Sequence, residues 1–316
     1  MVERALAGHP LVDEAAHGVV LAFPIVSLVI FDELDRAEAA LAAANELPKA
    51  RRSLITITVI QHWSAVVAFR RGDLVGARAH AQRELAACNS DDWTLYGAWI
   101  RANLARTLIE QGEFEPAGAM LADAEAVDPV GSCLLLEAKA WLATALGNLT
   151  LAYDTFTEAG RTLDAMGLVN PGLSRGGRRA AAATAAQQVG GPDDAIDLVA
   201  ADLDIARRTG TQRSIRVALR AAALLAPPDE AVPMLGESVT TLTRSTAPLE
   251  LAASLTAFSA RCDVPVAAAP DANRSNGPLP SRPTLGRHRS LAVSRTSCAL
   301  RAAALGGRTA AAGSAP

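Results

Sequence analysis

Leu108-Ile109-Glu110-Gln111-Gly112-Glu113-Phe114-Glu115-Pro116-Ala117 is the stretch that decides the fold. Gly112 suits the left-handed residue that closes a helix, while two acids and a proline suit the first turn of the next, where orphan N–H groups make the helix end positive. Ala117 then opens a second amphipathic run. The same shape recurs at Asp32–Ala37 (DELDRA), Gly72–Ala77 (GDLVGA), Gly147–Ala152 (GNLTLA) and Gly190–Ala195 (GGPDDA), with a shorter copy at Pro228–Ala231 (PDEA). The marker alanines are about 35 to 45 residues apart, the period of helix-pair solenoids. Each copy is the turn of a helical hairpin, and the chain is a repeat array.

Composition agrees with an all-α reading. Half of the 316 residues are hydrophobic but only 4% are aromatic, and the excess is alanine, which loses no side-chain entropy in a helix and lets backbones approach closely. Residues 264–316 hold seven Arg against the single Asp271, which leaves about −9 of the net −3 on the rest of the chain. An acidic body is a poor partner for nucleic acid. The 28 Arg against two Lys (Lys49, Lys139) carry no functional reading, and Cys88, Cys133, Cys262 and Cys298 form no CxxC pair, so neither a disulfide framework nor a zinc site is implied. A reduced cytoplasm and no membrane are expected. The apolar run Val19–Phe31 is too short to span a bilayer and is read as a buried helix.

In the third pair, Leu104, Ala105, Leu108, Gly112, Ala117, Leu121, Ala124 and Pro129 fall where tetratricopeptide repeats place apolar and small residues. Ala140, Gly147, Ala152, Phe156 and Ala159 do the same in the fourth. The second and fifth pairs depart from the pattern, with Glu84 and Asp202 where a small residue belongs. The resemblance implies a tetratricopeptide-like α-solenoid of about six antiparallel helix pairs over residues 17–262, after a lead-in at 1–16 and before a disordered tail at 263–316.

Over roughly residues 17–260 the chain also resembles the central helical-repeat region of the large ATP-binding LuxR-type transcriptional regulators, relatives of the maltose-operon activator. The phrases that carry this are LDRAEAALAAA from Leu34, RRGDLVGARAHAQREL from Arg70, LIEQGEFEPAGAMLADAE from Leu108 and GRTLDAMGLVNPGL from Gly160. Ser174–Gly177 departs from the aromatic-containing turn usual there. The family implies an ATPase module before this region and a helix-turn-helix after it. No G-x-x-x-x-G-K-[S/T] loop occurs, since neither Lys follows a Gly, and no recognition-helix pattern follows Pro265. The expected function is therefore an effector-sensing or protein-interaction domain with no nucleic-acid binding of its own. The alternative is a free-standing scaffold of tetratricopeptide type.

The tail lacks an apolar period and is rich in Pro, Arg, Ser and Ala. With GC-rich codons, a one-base shift lets Cys262–Ala267, Asn273–Pro278 and Arg295–Leu300 each read as helical family sequence, so a frameshift near Ala260 is expected.

No catalytic constellation, cofactor motif or metal set stands out. Leu28-Val29-Ile30-Phe31-Asp32-Glu33 matches the apolar-then-acidic pattern of a magnesium-holding strand, but the same residues are the first copy of the helix turn, which is the reading adopted. His80, Glu84 and Cys88 share a helix face, read as a solvated His80–Glu84 pair with Cys88 packed inward. In tetratricopeptide arrays the first helix of each pair lines the groove. Carrying those positions over selects His62, Phe69 and Arg70, then Trp99, Arg106 and Glu110, then Glu137 and Trp141, as anchors for a protein partner or small effector. Trp99 and Trp141 suit equally well the task of filling between narrow, Ala-rich helices.

Overall fold

The computed structural model describes residues 19–46, 54–88, 94–168, 178–189, 191–243 and 247–262. The lead-in 1–16, the tail 263–316 and the Ser174–Gly177 departure lie outside the described residues. Among those described there are thirteen helices and no strand. Six hairpins follow one another: α1 (Val19–Ile30) with α2 (Leu34–Glu46), α3 (Leu54–Arg70) with α4 (Leu74–Ala87), α5 (Thr94–Gln111) with α6 (Phe114–Ala122), α7 (Pro129–Ala145) with α8 (Leu149–Ala165), α9 (Arg178–Val189) with α10 (Pro192–Thr209), and α11 (Gln212–Leu225) with α12 (Pro228–Leu242). A seventh first helix, α13 (Pro248–Cys262), closes the series. None of these helices is long and apolar enough to cross a membrane.

The repeated turn works as its residues predict. Gly72, Gly112 and Gly147 adopt φ of +75°, +80° and +80°, and the following N–H reaches five residues back: Asp73 to Ala68, Glu113 to Leu108 and Asn148 to Ala143, each at 2.9 Å. That ends the first helix in a Schellman motif. The residue after the glycine then starts the second helix, where the Asp73 side chain accepts from Gly76 N (2.9 Å) and Asn148 Oδ1 from Leu151 N (3.2 Å). One turn on stand the marker residues Ala37, Ala77, Ala117, Ala152, Ala195 and Ala231, all 0–1% exposed. A methyl group is what fits where the two helices of a hairpin cross.

First helices stack on first helices along the array, α1 on α3, α5 on α7, α9 on α11 and α11 on α13. The core is accordingly a string of modest clusters. One is centred on Leu104, Leu108, Ile109 and Leu121, and another on Phe156 with Ala140, Ala143, Ala152, Ala182 and Ala185. Most of the packing is between neighbouring repeats, as in solenoids. The reading of Val19–Phe31 as a buried helix needs correction: Ile25, Leu28 and Val29 are buried, but Phe23 and Phe31 face outward and are exposed. Among the described residues the main packing of α1 is on α2 and α3.

Candidate binding site on the inner face

Of the eight residues selected as groove anchors, the structure gathers five into one cluster. The Arg106 guanidinium lies 4.5 Å from the centre of the Trp141 ring and 5.6 Å from that of Phe69, and donates to Glu110 Oε1 at 3.1 Å. Cation–π contact holds the cation without using its N–H groups. Among the described residues, the buried donors Arg106 Nε and Nη1 and Trp141 Nε1 find no acceptor. Glu137 completes the group, 3.6 Å from Arg178 Nε on α9. Burial lowers the pKa of Arg106, and Glu110 and Glu137 oppose that fall.

Arg70, the sixth, belongs to a longer chain of charge that reaches Arg106 through Glu250. It donates to Val29 O at 2.6 Å and to Asp32 Oδ1 at 3.0 Å, and the same Asp32 oxygen accepts from Arg213 Nε at 3.1 Å. Arg213 Nη1 lies 3.9 Å from Glu250, which takes a 2.9 Å bond from Arg220. Burial alone would raise the Glu250 carboxyl, but Arg220 and then Arg213 overcome it and hold the pKa down. The Asp32–Arg213 bond spans 181 positions, so the array bends back on itself. In consequence Phe69, Arg70, Arg106, Glu110 and Glu137 lie on first helices, where the repeat pattern put them, yet they are only 4–8% exposed. They form a covered strip and not an open groove floor.

His62 and Trp99 lie outside this cluster. His62 is buried between α3, α4 and α5, with Nδ1 3.1 Å from Glu84 Oε1 and 3.1 Å from Asn103 Nδ2, and packs edge-on to Trp63 and Trp99. Trp99 Nε1 donates to Asp128, the residue that caps α7, and so ties the third pair to the fourth. The solvated His80–Glu84 pair is corrected. Glu84 is fully buried against His62, His80 is bonded to Gln61 at 2.8 Å, and Cys88 is half-buried beside Thr58. Asp32 sits in a helix turn and binds two guanidiniums, in keeping with the helix-turn reading of its segment.

Sequence reasoning missed Asp32, Arg178, Arg179, Asp202, Arg213 and Glu250. Two signals were present. Asp32 stands where the other hairpins carry glycine, and Asp202 stands where the repeat wants a small residue. Asp202 is buried facing Arg179, Arg178 and Arg213, and burial outweighs their charge, raising its carboxyl to about 6. The folded chain therefore keeps a proton that the unfolded chain has lost, so the Asp202 contribution to stability declines as pH rises from about 4 to about 6. Two pKa units correspond to roughly 3 kcal/mol. Urea unfolding at pH 4 and pH 6.5 should show Asp202→Asn gaining on the wild type across this interval. Parallel pH dependence of the two would contradict the assignment.

Beside the strip, and sharing Trp141 with it, is a pocket of about 540 Å³. Its walls are the C-terminal parts of α7, α11 and α13, most of α9 and the starts of α8 and α12, with Trp141, Thr184, Val217, Ala221, Leu224 and Ala257 among the lining residues. No described lining residue is acidic. The orphan carbonyls at the end of α11 are met by Arg261, bonded to Leu224 O (2.7 Å) and Ala223 O (3.3 Å), and by Gln187 to Leu224 O (3.3 Å). Arg220 is neutralised by Glu250. What remains is a largely apolar cleft within the size range of small-molecule sites.

No family model matches the chain, and no curated protein matches it significantly. A solved structure does. A Rap protein in complex with competence and sporulation factor superposes with a TM-score of 0.58 at 13% identity, covering 78% of this chain and 70% of the other. At that identity the likeness concerns the fold. The chain is an all-α, tetratricopeptide-like solenoid.

Proposed function

We propose that this chain is a helical-repeat binding module that takes a small apolar effector, or an apolar segment of a protein partner, in the pocket between α7, α9, α11 and α13. The observation that carries the reading is the 540 Å³ apolar cleft walled by four successive first helices and backed by Trp141, one of the anchors selected from sequence. Its capped helix ends and paired Arg220 leave apolar contact as the main source of affinity. The Rap protein solved with its factor is a solenoid of like fold in complex, which supports binding as the mode of action.

The finer reading rests on the phrases beginning at Leu34, Arg70, Leu108 and Gly160. It makes residues 17–262 the effector-sensing region of a LuxR-type regulator, with residues 263–316 a frameshifted extension. Sequencing the locus tests it: an ATPase-coding stretch upstream and a helix-turn-helix downstream in the shifted frame support the assignment, and their absence favours the free-standing scaffold.

The pocket itself is tested by titration with Nile red, an uncharged apolar fluorophore. Wild-type protein should give saturable emission. Thr184→Trp, which fills the cleft from a partly exposed position, should weaken binding at least tenfold. Equal affinity for the two proteins would move the binding site elsewhere.

A further inference from the structure

We propose that the contact between the first hairpin turn and α11 is an autoinhibitory clasp, which keeps the strip on α3, α5 and α7 covered and exposes it on release. Asp32 has φ of +61°, the only non-glycine described residue in the left-handed region, at the place where Gly72, Gly112 and Gly147 adopt +75° to +80°. Glycine would serve the turn with less strain. A strained residue persists where its surroundings hold it for another purpose, and here the side chain has one. Asp32 accepts from Arg70 in the neighbouring pair and from Arg213 in the sixth pair, 181 positions away.

A second point of the same seam lies at Gly72, where an added Cβ would stand 2.9 Å from Pro248 Cγ at the start of α13. Among the described residues no helix from α1 to α6 packs extensively on any from α9 to α13, whereas successive helices elsewhere pack along their length. The joint that closes the array is thus built from turns and the Asp32 and Glu250 carboxylates, and a joint of that kind opens without unfolding the pairs it connects. Among what it covers is Arg106, which faces Glu250 of α13 across it. Arg106 is its best reporter, being held between Phe69 and Trp141 and 5% exposed.

The test uses the full chain and contains no pocket ligand, so a failure of Nile red binding leaves it intact. Asp32→Gly installs the residue the other hairpins carry, and Arg213→Gln breaks the bond from the opposite side. Labelling of Arg106 by phenylglyoxal, read by peptide mass spectrometry, should rise at least tenfold in each variant. The radius of gyration from small-angle scattering should increase, far-UV helicity should be retained, and the double variant should go no further than either single one. Unchanged Arg106 labelling and dimensions in helical variants would overturn the proposal. So would loss of helicity in both variants, because the seam would then be part of the fold and not a clasp.

Discussion

Replacing Phe156 with alanine lowers the free energy of unfolding by about 3–5 kcal/mol. Phe156 is among the largest fully buried side chains, and it meets the Trp141 ring edge-on at 5.3 Å between centroids. The buried residues clustered with it are Ala140, Ala143, Ala152, Ala182 and Ala185. These alanines have no rotamers with which to fill a void, so most of the cavity stays open and its cost is felt. Val75→Ala, at an exposed position on α4, is the control and should fall within about 0.5 kcal/mol of wild type. Urea unfolding measures both. A loss below about 1 kcal/mol at Phe156 would mean that the fourth and fifth pairs do not pack as described.

Glu137→Ala has an effect of similar size for a different reason. Glu137 faces Arg178 at 3.6 Å, and both side chains are more than nine-tenths buried. Burial lowers the pKa of Arg178 and the Glu137 charge is the largest that opposes this, so removing Glu137 leaves a buried guanidinium to the weaker compensation of Asp164 and Asp202. Losing one member of a buried pair costs about 3–5 kcal/mol, whereas replacing both with apolar groups of similar volume is often neutral. Glu137→Leu combined with Arg178→Met should therefore recover most of what Glu137→Ala loses. A double variant as unstable as the single one would show that Glu137 acts through other neighbours.

The hairpins were legible in the sequence because their causes are local. A left-handed glycine, a capping residue and an alanine one turn later lie within six positions, and all six marker alanines prove buried. Closure of the array was not legible. It accumulates from small angles between successive pairs, and no short stretch encodes it, so residues read as lining an open groove are covered instead. Glu84 and Asp202 were recognised as acids in places reserved for small residues, but the departure looked like looseness in the repeat. An acid held there is buried, and a buried acid needs company. For Glu84 that is His62, on the partner helix of the hairpin; for Asp202 it is the arginines of α9 and α11. Asp32 at a glycine position carried the same kind of signal. The pocket has no motif at all, since alanines, a threonine and a tryptophan gain a common wall only when four helices align.

Hydrogen–deuterium exchange of the full chain, with and without saturating Nile red, tests the central claim most directly because it locates the bound probe. The account predicts slowed exchange in the C-terminal parts of α7, α11 and α13 and along α9, together with an unchanged strip on α3 and α5. Protection confined to other helices, or none in those four under saturating probe, would contradict it.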